Sequence, residues 1–337
     1  MKHYSLSLHL LHKSMALLLH NDPEVQRQAA ELLLTTVGAH IFTVLRRQLA
    51  SADEAEKANA LRALQTLEQH GRQRVEQRPF SGLHFETLGA LRIYVGNHEL
   101  TAHEWAAFNR SHAGWQKAQA LLAYLFHYGQ RGMTIEAALA AIWQDRATAS
   151  AISRTLTAIR YVIGELGGAD LAKRALISEQ NRLWLSPMVC SSDAALFERA
   201  VQYAEQIEAE FDFESALPHY QHACSLYGGN YLVMVDLYDE DIEDYRQQLI
   251  TTYLYLVERI SEYYFSQQNI PRCIDWCLRG LRIRATDEQL VVRLLECYAR
   301  QRRSADIERL YQRYRRHLGG MPDDDDEVER WMRQWRR

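Results

Sequence analysis

The segment from Trp115 to Leu185 constrains the fold of this chain most, because its apolar residues repeat with two different periods. Stretches 115–126, 134–143 and 149–166 each place apolar residues at the three- and four-residue spacing of an amphipathic helix. A short turn at residues 129–132 separates the first two stretches. Residues 175–185 then form two short apolar runs around a polar turn, which predicts a β-hairpin.

Three helices followed by a hairpin predict a winged helix-turn-helix, a fold whose third helix can enter the major groove of DNA. The predicted buried stripe of the third helix is Ile152, Leu156, Ile159 and Ile163. A small helical domain that ends in a hairpin and does not bind DNA has the same periodicity. Periodicity alone therefore leaves both interpretations open.

Composition and charge limit the classes of function. The 337 residues are enough for two or three domains, and 47% hydrophobic with 24% charged residues is typical of globular proteins. No apolar run approaches the ~20 residues that span a bilayer. His9, His12 and Lys13 interrupt the apolar N-terminus, and no small-residue cleavage site follows it. We therefore expect a cytoplasmic protein that does not bind membranes.

Basic and acidic residues are unevenly distributed along the chain. Residues 1–80 and residues 81–187 each contain 10 basic and 8 acidic residues, whereas the remainder contains 19 and 27, a net charge of −8. DNA phosphates would repel the acidic C-terminal part. A DNA-binding surface is therefore expected before residue 188, and a protein partner is expected to bind after it.

The sequence contains no motif of a catalytic or metal site. Neither a nucleophile–base pair, nor a glycine-rich phosphate loop, nor a zinc signature is present, so we expect no enzymatic activity, no cofactor and no metal. The histidines at positions 3, 9, 12 and 20 are expected at the surface. The five cysteines, at positions 190, 224, 273, 277 and 297, are expected to be reduced, mostly in the core.

Mainly helical regions flank the central segment. Residues 1–78 contain a weak repeat in which residues 22–33 align with residues 53–64 at an offset of 31, a pattern typical of HEAT-like helical pairs or of a plain helical bundle. A linker at 77–82 and two short strand patterns within 83–100 begin the predicted winged-helix domain, residues 79–188.

A second repeat lies in the predicted C-terminal domain, residues 189–320, and aligns Leu256 with Leu290 and Tyr264 with Tyr298. Its offset of 34 residues is the tetratricopeptide period, which predicts stacked helix pairs. Residues 321–337 are predicted to be a tail that begins acidic and ends as a basic, aromatic helix.

Six short motifs are spread along the predicted order of elements, which is a small sheet, three helices, a hairpin and then helix pairs. They are Gly-Ala-Leu-Arg-Ile at 89–93, Trp-Gln-Lys-Ala-Gln-Ala-Leu-Leu-Ala-Tyr-Leu at 115–125, Ala-Ala-Ile-Trp at 140–143, Arg-Leu-Trp-Leu-Ser-Pro at 182–187, Phe-Glu at 197–198 and Tyr-Gly-Gly-Asn-Tyr-Leu at 227–232. This order resembles the bacterial transcriptional activator domain (BTAD) regulators of the SARP/AfsR type, over about residues 83–320.

The resemblance implies an OmpR-like winged helix that binds direct-repeat promoter DNA and recruits RNA polymerase. It also implies a tetratricopeptide-like domain that mediates dimerisation or activator contacts. Recognition helices of the family usually carry several arginines, whereas this one keeps only Arg154 and Arg160. The alternative interpretation is therefore a protein-interaction scaffold or adaptor whose degenerate winged helix no longer binds DNA.

Nine residues are the predicted DNA contacts. Arg154 is the best candidate to read a base, because a guanidinium group can form two hydrogen bonds with guanine. The others are the major-groove residues Ser150, Ser153 and Thr157, the flanking Arg160, Lys117 in the first turn of its helix, and Lys173, Arg174 and Arg182 in or beside the wing.

Overall fold

The computed structural model describes residues 13–36, 41, 44, 45, 48, 53–75, 82–96, 98–108, 113–143, 149–233, 239–319 and 326–337. The fold is mainly α-helical, with two small β-sheets. Two compact units make up the chain. The first comprises Met1–Tyr203 and Ser225–Arg246, and the second comprises Ala204–Cys224 and Gln247–Arg337.

Within the described part of the N-terminal region, residues 13–17 are helical, and two further helices are α1 (Pro23–Thr36) and α2 (Glu54–Val75). An aspartate caps each of them: Asp22 accepts a hydrogen bond from the backbone N–H of Glu24 at 2.9 Å, and Asp53 accepts one from Ala55 at 2.8 Å. The identical apolar residues that the 31-residue repeat aligns are buried in one core: Ala29 and Leu33 of α1, Ala60 and Leu64 of α2. His3, His9 and His12 lie outside the described residues, and His20 is exposed.

The first sheet combines strands from both ends of the central segment. Its strands are β1 (Leu83–Glu86), β2 (Arg92–Val95), β3 (His98–Glu99) and β7 (Cys190–Ser192), in the order β3-β2-β1-β7. Strand β1 pairs with β2 antiparallel and with β7 parallel. The sequence predicts β1 and β2 but not β7, which returns the chain to its starting sheet after the wing.

Five helices and a second sheet lie between β3 and β7. They are α3 (Ala102–Phe108), α4 (Trp115–Tyr128), a 3₁₀ turn (Gly129–Arg131), β4 (Met133–Thr134), α5 (Ile135–Trp143), α6 (Ala149–Gly167), α7 (Ala169–Ala175), β5 (Leu176–Glu179) and β6 (Arg182–Leu185). The second sheet has the order β4-β6-β5. The prediction that the second helix begins at Thr134 is wrong by one residue, because Thr134 pairs with Arg182 as part of β4.

A buried carboxylate joins the first sheet to the helix that follows it, α8 (Asp193–Glu210). Asp193 is fully buried and accepts hydrogen bonds from the backbone N–H of Thr87 at 2.7 Å, the Thr87 hydroxyl at 2.8 Å and the N–H of Leu88 at 3.1 Å. The sequence predicts that Ser192 and Asp193 together cap this helix. In the structure Ser192 is the side chain that accepts from the N–H of Ala195, in the first turn of α8, at 3.1 Å.

The remaining helices are α9 (Phe213–Leu226), α10 (Glu240–Ser266), α11 (Ile270–Ile283), α12 (Glu288–Arg300), α13 (Ser304–Leu318) and α14 (Glu327–Trp335). Helices α11 and α13 begin 34 residues apart, the offset of the sequence repeat. Gly280 allows α11 to pack closely, because a Cβ there would lie 3.0 Å from Val257 Cγ1 and closer still to Leu290. Among the described residues, no helix is long and apolar enough to cross a membrane.

All five cysteines are free thiols. Cys224, Cys273, Cys277 and Cys297 are buried, and Cys190 is half-buried. Within the described ranges, no three histidine, cysteine, aspartate or glutamate side chains are arranged to hold a metal ion.

Candidate nucleic-acid interface

Helix α6 is amphipathic in the way its sequence predicts. Ile152, Leu156, Ile159 and Ile163 are all buried, at most 5% exposed. These residues recur every three or four positions, so they lie on one face of the helix. The packing of this face against the domain core leaves the opposite face of α6 at the surface.

The exposed face of α6 carries four predicted contact residues, Ser150, Ser153, Arg154 and Thr157. Within the helix, Arg154 Nε donates to the Ser150 carbonyl oxygen at 3.3 Å, and the Thr157 hydroxyl donates to the Ser153 carbonyl oxygen at 2.8 Å. The Thr157 hydroxyl oxygen remains a hydrogen-bond acceptor. The face therefore offers hydroxyl groups and one guanidinium at adjacent turns of an exposed helix.

Two other predicted contacts bind the protein's own backbone. Arg160 Nη2 donates to the Leu176 carbonyl oxygen at 3.3 Å, so it connects α6 to the first wing strand. The Lys117 ammonium group donates to the Ile142 carbonyl oxygen near the end of α5. Both side chains thus help to position α6 and α5. The sequence could not show this, because each partner is a main-chain atom of another element.

The wing is a hairpin with a two-residue turn. Gln180 and Asn181 have φ values of 46° and 66°, which fits a type I′ turn, the turn whose twist matches that of hairpin strands. The Asn181 side-chain amide donates to both carboxylate oxygens of Glu136 in α5, at 2.8 and 3.0 Å. Arg182 donates to the Arg131 carbonyl oxygen of the 3₁₀ turn. These bonds fix the wing relative to α5.

The contact between the wing and α5 also affects charge. The hydrogen bond from Asn181 lowers the pKa of Glu136, so this carboxylate is ionised at neutral pH. It would repel a phosphate placed beside the turn of the wing.

The last two predicted contacts, Lys173 and Arg174, lie in the last turn of α7 and are exposed. Helix α7 is a seven-residue element that the sequence does not predict. Arg174 forms an ion pair with Asp170 at 2.8 Å. A solvent-exposed pair at this spacing contributes little to stability and is screened by salt, so Arg174 can exchange Asp170 for a phosphate at small cost.

Two glycine motifs that lie far apart in the sequence meet beside the first sheet. Leu88 forms an antiparallel bridge with Tyr231, and Gly89 N–H donates to the Asn230 carbonyl oxygen at 3.0 Å. Gly89 has φ = 104° and Gly229 has φ = 149°, and a Cβ on either would lie 3.2 Å from backbone atoms of the other motif. Glycine is needed at both positions.

The end of α4 contacts the same chain segment. The Tyr128 hydroxyl donates to Asp239 Oδ2 at 2.8 Å, and the His127 ring lies against Tyr231 and Tyr245, with ring centroids 5.9 Å away from it in each case. Burial lowers the pKa of His127, so the ring is neutral at pH 7. Residues 225–233 and 239–246 are therefore packed against the elements that support the winged helix.

Comparisons with known proteins find a family match and a structural match. The family model described as the bacterial transcriptional activator domain, BTAD, matches residues 192–321. Among solved structures, the chain is similar to Mycobacterium tuberculosis EmbR in complex with low affinity phosphopeptide, with a TM-score of 0.55 and 20% sequence identity. The match covers 75% of this chain. The chain spans 65% of the EmbR chain, and at this identity the likeness shows a shared fold. No curated protein matches. The chain therefore contains a region, residues 192–321, that matches the bacterial transcriptional activator domain, and it shares the fold of EmbR.

Proposed function

We propose that this protein is a transcriptional regulator, most simply an activator, that reads promoter DNA with α6 in the major groove. The observation that carries this proposal is the exposed face of α6, on which Arg154 and three hydroxyl side chains lie opposite a buried apolar stripe. That face belongs to a winged helix that precedes a BTAD. A helix of this kind, supported by a packed core, has the geometry required for major-groove binding.

The nine candidate residues take different roles in this proposal. Arg154 reads a base, and Ser150, Ser153 and Thr157 bind bases or phosphates. Arg160, Lys117 and Arg182 position the helices and the wing through their carbonyl partners. Lys173 and Arg174 bind phosphate.

The salt dependence of binding follows from these roles. The two cations that bind phosphate, Lys173 and Arg174, give a slope of about −1.8 in log affinity against log salt, which is a loss of about 12-fold between 50 and 200 mM.

The activator domain would bind a protein partner. We assign DNA binding to residues 79–188 and partner binding to residues 189–320, with residues 1–78 as a HEAT-like segment and 321–337 as a tail. The net charge of −8 after residue 187 disfavours nucleic acid there and suits a protein, either RNA polymerase or a second copy of this chain. The proposal includes no catalysis, no cofactor and a cytoplasmic location.

Binding of genomic duplex fragments tests the proposal. The full chain is incubated with random fragments at 50 and 200 mM salt, and retained fragments are sequenced. We expect a short repeated sequence to be enriched at both salt concentrations. Retention without enrichment would contradict specific recognition. No retention at 50 mM, together with a stable protein complex, would replace the proposal with the adaptor interpretation.

A further inference from the structure

Three buried thiols meet in the second compact unit, at one end of the α11–α12 pair. Cys273 and Cys277 lie one turn apart on α11, Cys297 lies in the last turn of α12, and none of the three side chains is exposed. The Cys297 thiol donates to Cys273 Sγ at 3.4 Å, and the Cys277 thiol also bonds to Cys273. Cys273 is therefore the common acceptor of the cluster.

We propose that Cys273 and Cys297 form a disulfide when a hydroperoxide reaches them, with Cys273 as the thiol that reacts first. A disulfide requires Cβ atoms roughly 3.5–4.5 Å apart. Cβ atoms one helical turn apart are about 5–6 Å from each other, which disfavours Cys277 as the partner. The Cys297 sulfur approaches from another helix, so a shift of just over about 1 Å brings the two sulfurs to bonding distance.

The surroundings make Cys273 the nucleophile. It lies in the first turn of α11, where the helix dipole stabilises a thiolate, whereas Cys297 lies in the last turn of α12, where the dipole opposes one. Hydrogen bonds from Cys277 and Cys297, with the charges of Arg293 and Arg300, lower the pKa of Cys273 to about 4. The hydrogen bond to Cys273 and burial raise the pKa of Cys297.

Arg293, which is half-buried, adds positive charge that favours the thiolate of Cys273. Arg293 Nη1 is buried and, within the described part of the chain, forms no hydrogen bond. A buried guanidinium nitrogen without an acceptor is costly unless an anion lies nearby. The two anionic candidates are Cys273 and Glu258, and burial raises the pKa of the Glu258 carboxyl.

The chemical steps balance. The Cys273 thiolate attacks one oxygen of the hydroperoxide, the O–O bond breaks, and the leaving alkoxide or hydroxide takes a proton and departs as an alcohol or water. The Cys297 sulfur then attacks the sulfur of the resulting sulfenic acid. The S–O bond breaks, and hydroxide leaves as water with the Cys297 proton. Two thiols are oxidised to one disulfide, and the peroxide is reduced.

Oxidant must enter through a local opening, because the thiols are buried. Gln268 before α11 and Arg302 after α12 flank the cluster, with φ values of 56° and 57° that non-glycine residues adopt only at some cost. Helix ends open at lower free energy than helix centres. Oxidation is therefore expected in native protein, at a rate proportional to the fraction of open molecules and to the thiolate fraction of Cys273.

Peptide mapping of the full chain tests the proposal. Native protein is treated with hydrogen peroxide and then denatured in the presence of N-ethylmaleimide, which blocks the remaining thiols. The alkylated protein is digested with trypsin. We expect a disulfide between the peptides 273–279 and 294–300, with Cys277 alkylated. Cys224, a buried thiol on α9 whose pKa burial raises, is the internal control and should be fully alkylated.

Three variants complete the test. Cys297→Ser should abolish the linked peptide and allow dimedone to trap a sulfenic acid at Cys273, with an unchanged circular dichroism spectrum. Arg293→Gln should raise the pH at which linkage reaches half of its full rate, whereas Arg293→Lys should not. Oxidation of Cys224 as fast as Cys273, or a native protein whose Cys273 stays reduced, would overturn the proposal. The thiol pair lies in the second unit, so its oxidation is measurable whether or not α6 binds DNA.

Discussion

The turn that connects α4 to the wing sheet contains two glycines, Gly129 and Gly132. We expect substitution by alanine to lower the free energy of unfolding by different amounts at the two positions. Gly129 and Gly132 have φ values of 50° and 59°, so an alanine at either position costs about 1–2 kcal/mol of backbone strain. A Cβ on Gly129 would have nothing within 4 Å. A Cβ on Gly132 would lie 3.0 Å from Trp184 Cβ and closer still to the Leu183 carbonyl oxygen, a backbone atom of β6 that cannot move without disturbing the sheet.

The second cost sets the expected difference. Overpacking costs about 1–3 kcal/mol in addition to the strain, so Gly132→Ala should lower the free energy of unfolding by about 2–5 kcal/mol and Gly129→Ala by about 1–2 kcal/mol. Urea unfolding of the full chain measures both. Because β4 pairs with β6, hydrogen exchange of the amides in residues 182–185 should accelerate more in Gly132→Ala. Equal losses in the two variants would refute this account of the turn.

Three further predictions concern single contacts. Asp193→Asn replaces an acceptor of several buried hydrogen bonds by a group with one acceptor oxygen. It should lower the free energy of unfolding, measured in urea, by about 3 kcal/mol. A loss under about 1 kcal/mol would contradict this prediction. Gly164→Ala in α6 places a Cβ 3.7 Å from Ala172 Cβ, which is an ordinary contact. Because glycine disfavours a helix interior, the change should raise the free energy of unfolding by about 0.5–1 kcal/mol. A lower free energy of unfolding would show that α6 has no room for the added methyl group. Hydrogen bonds from Arg259 lower the pKa of Glu208. Glu208→Gln should therefore lower the free energy of unfolding by its full amount above pH 4.5, and the difference from the unaltered protein should disappear as the pH falls through the lowered pKa. A difference that does not depend on pH would rule this out.

Elements with a clear period could be predicted from the sequence. The buried stripe of α6, strands β1 and β2, and the 34-residue spacing of the C-terminal helices each follow from apolar residues at regular intervals. The likeness to a BTAD regulator, based on several short motifs in order, is confirmed by the family match over residues 192–321.

Contacts between distant segments could not be predicted. Strand β4 has two residues and β7 has three, too few for a periodic pattern, and each exists because it pairs with a strand formed elsewhere. Lys117 looks like a phosphate contact in the sequence, but the Ile142 carbonyl oxygen that it binds lies 25 residues away. The assignment of the remaining cations on α6 and α7 to DNA is still a prediction.

A comparison of two arginine variants tests the central claim most directly. Arg154 on α6 and Arg199 on α8 are both exposed, both belong to the first compact unit, and each donates through Nε to the carbonyl oxygen four residues earlier, at 3.3 and 3.1 Å. The affinity of both variants is measured for the duplex enriched from genomic fragments and for copies of that duplex with single base changes. We expect Arg154→Ala to lose about 1–3 kcal/mol of affinity and to tolerate a change at one base position, and Arg199→Ala to bind as the unaltered protein does. Equal affinity of both variants, with specificity intact, would contradict the assignment of α6 as the recognition helix.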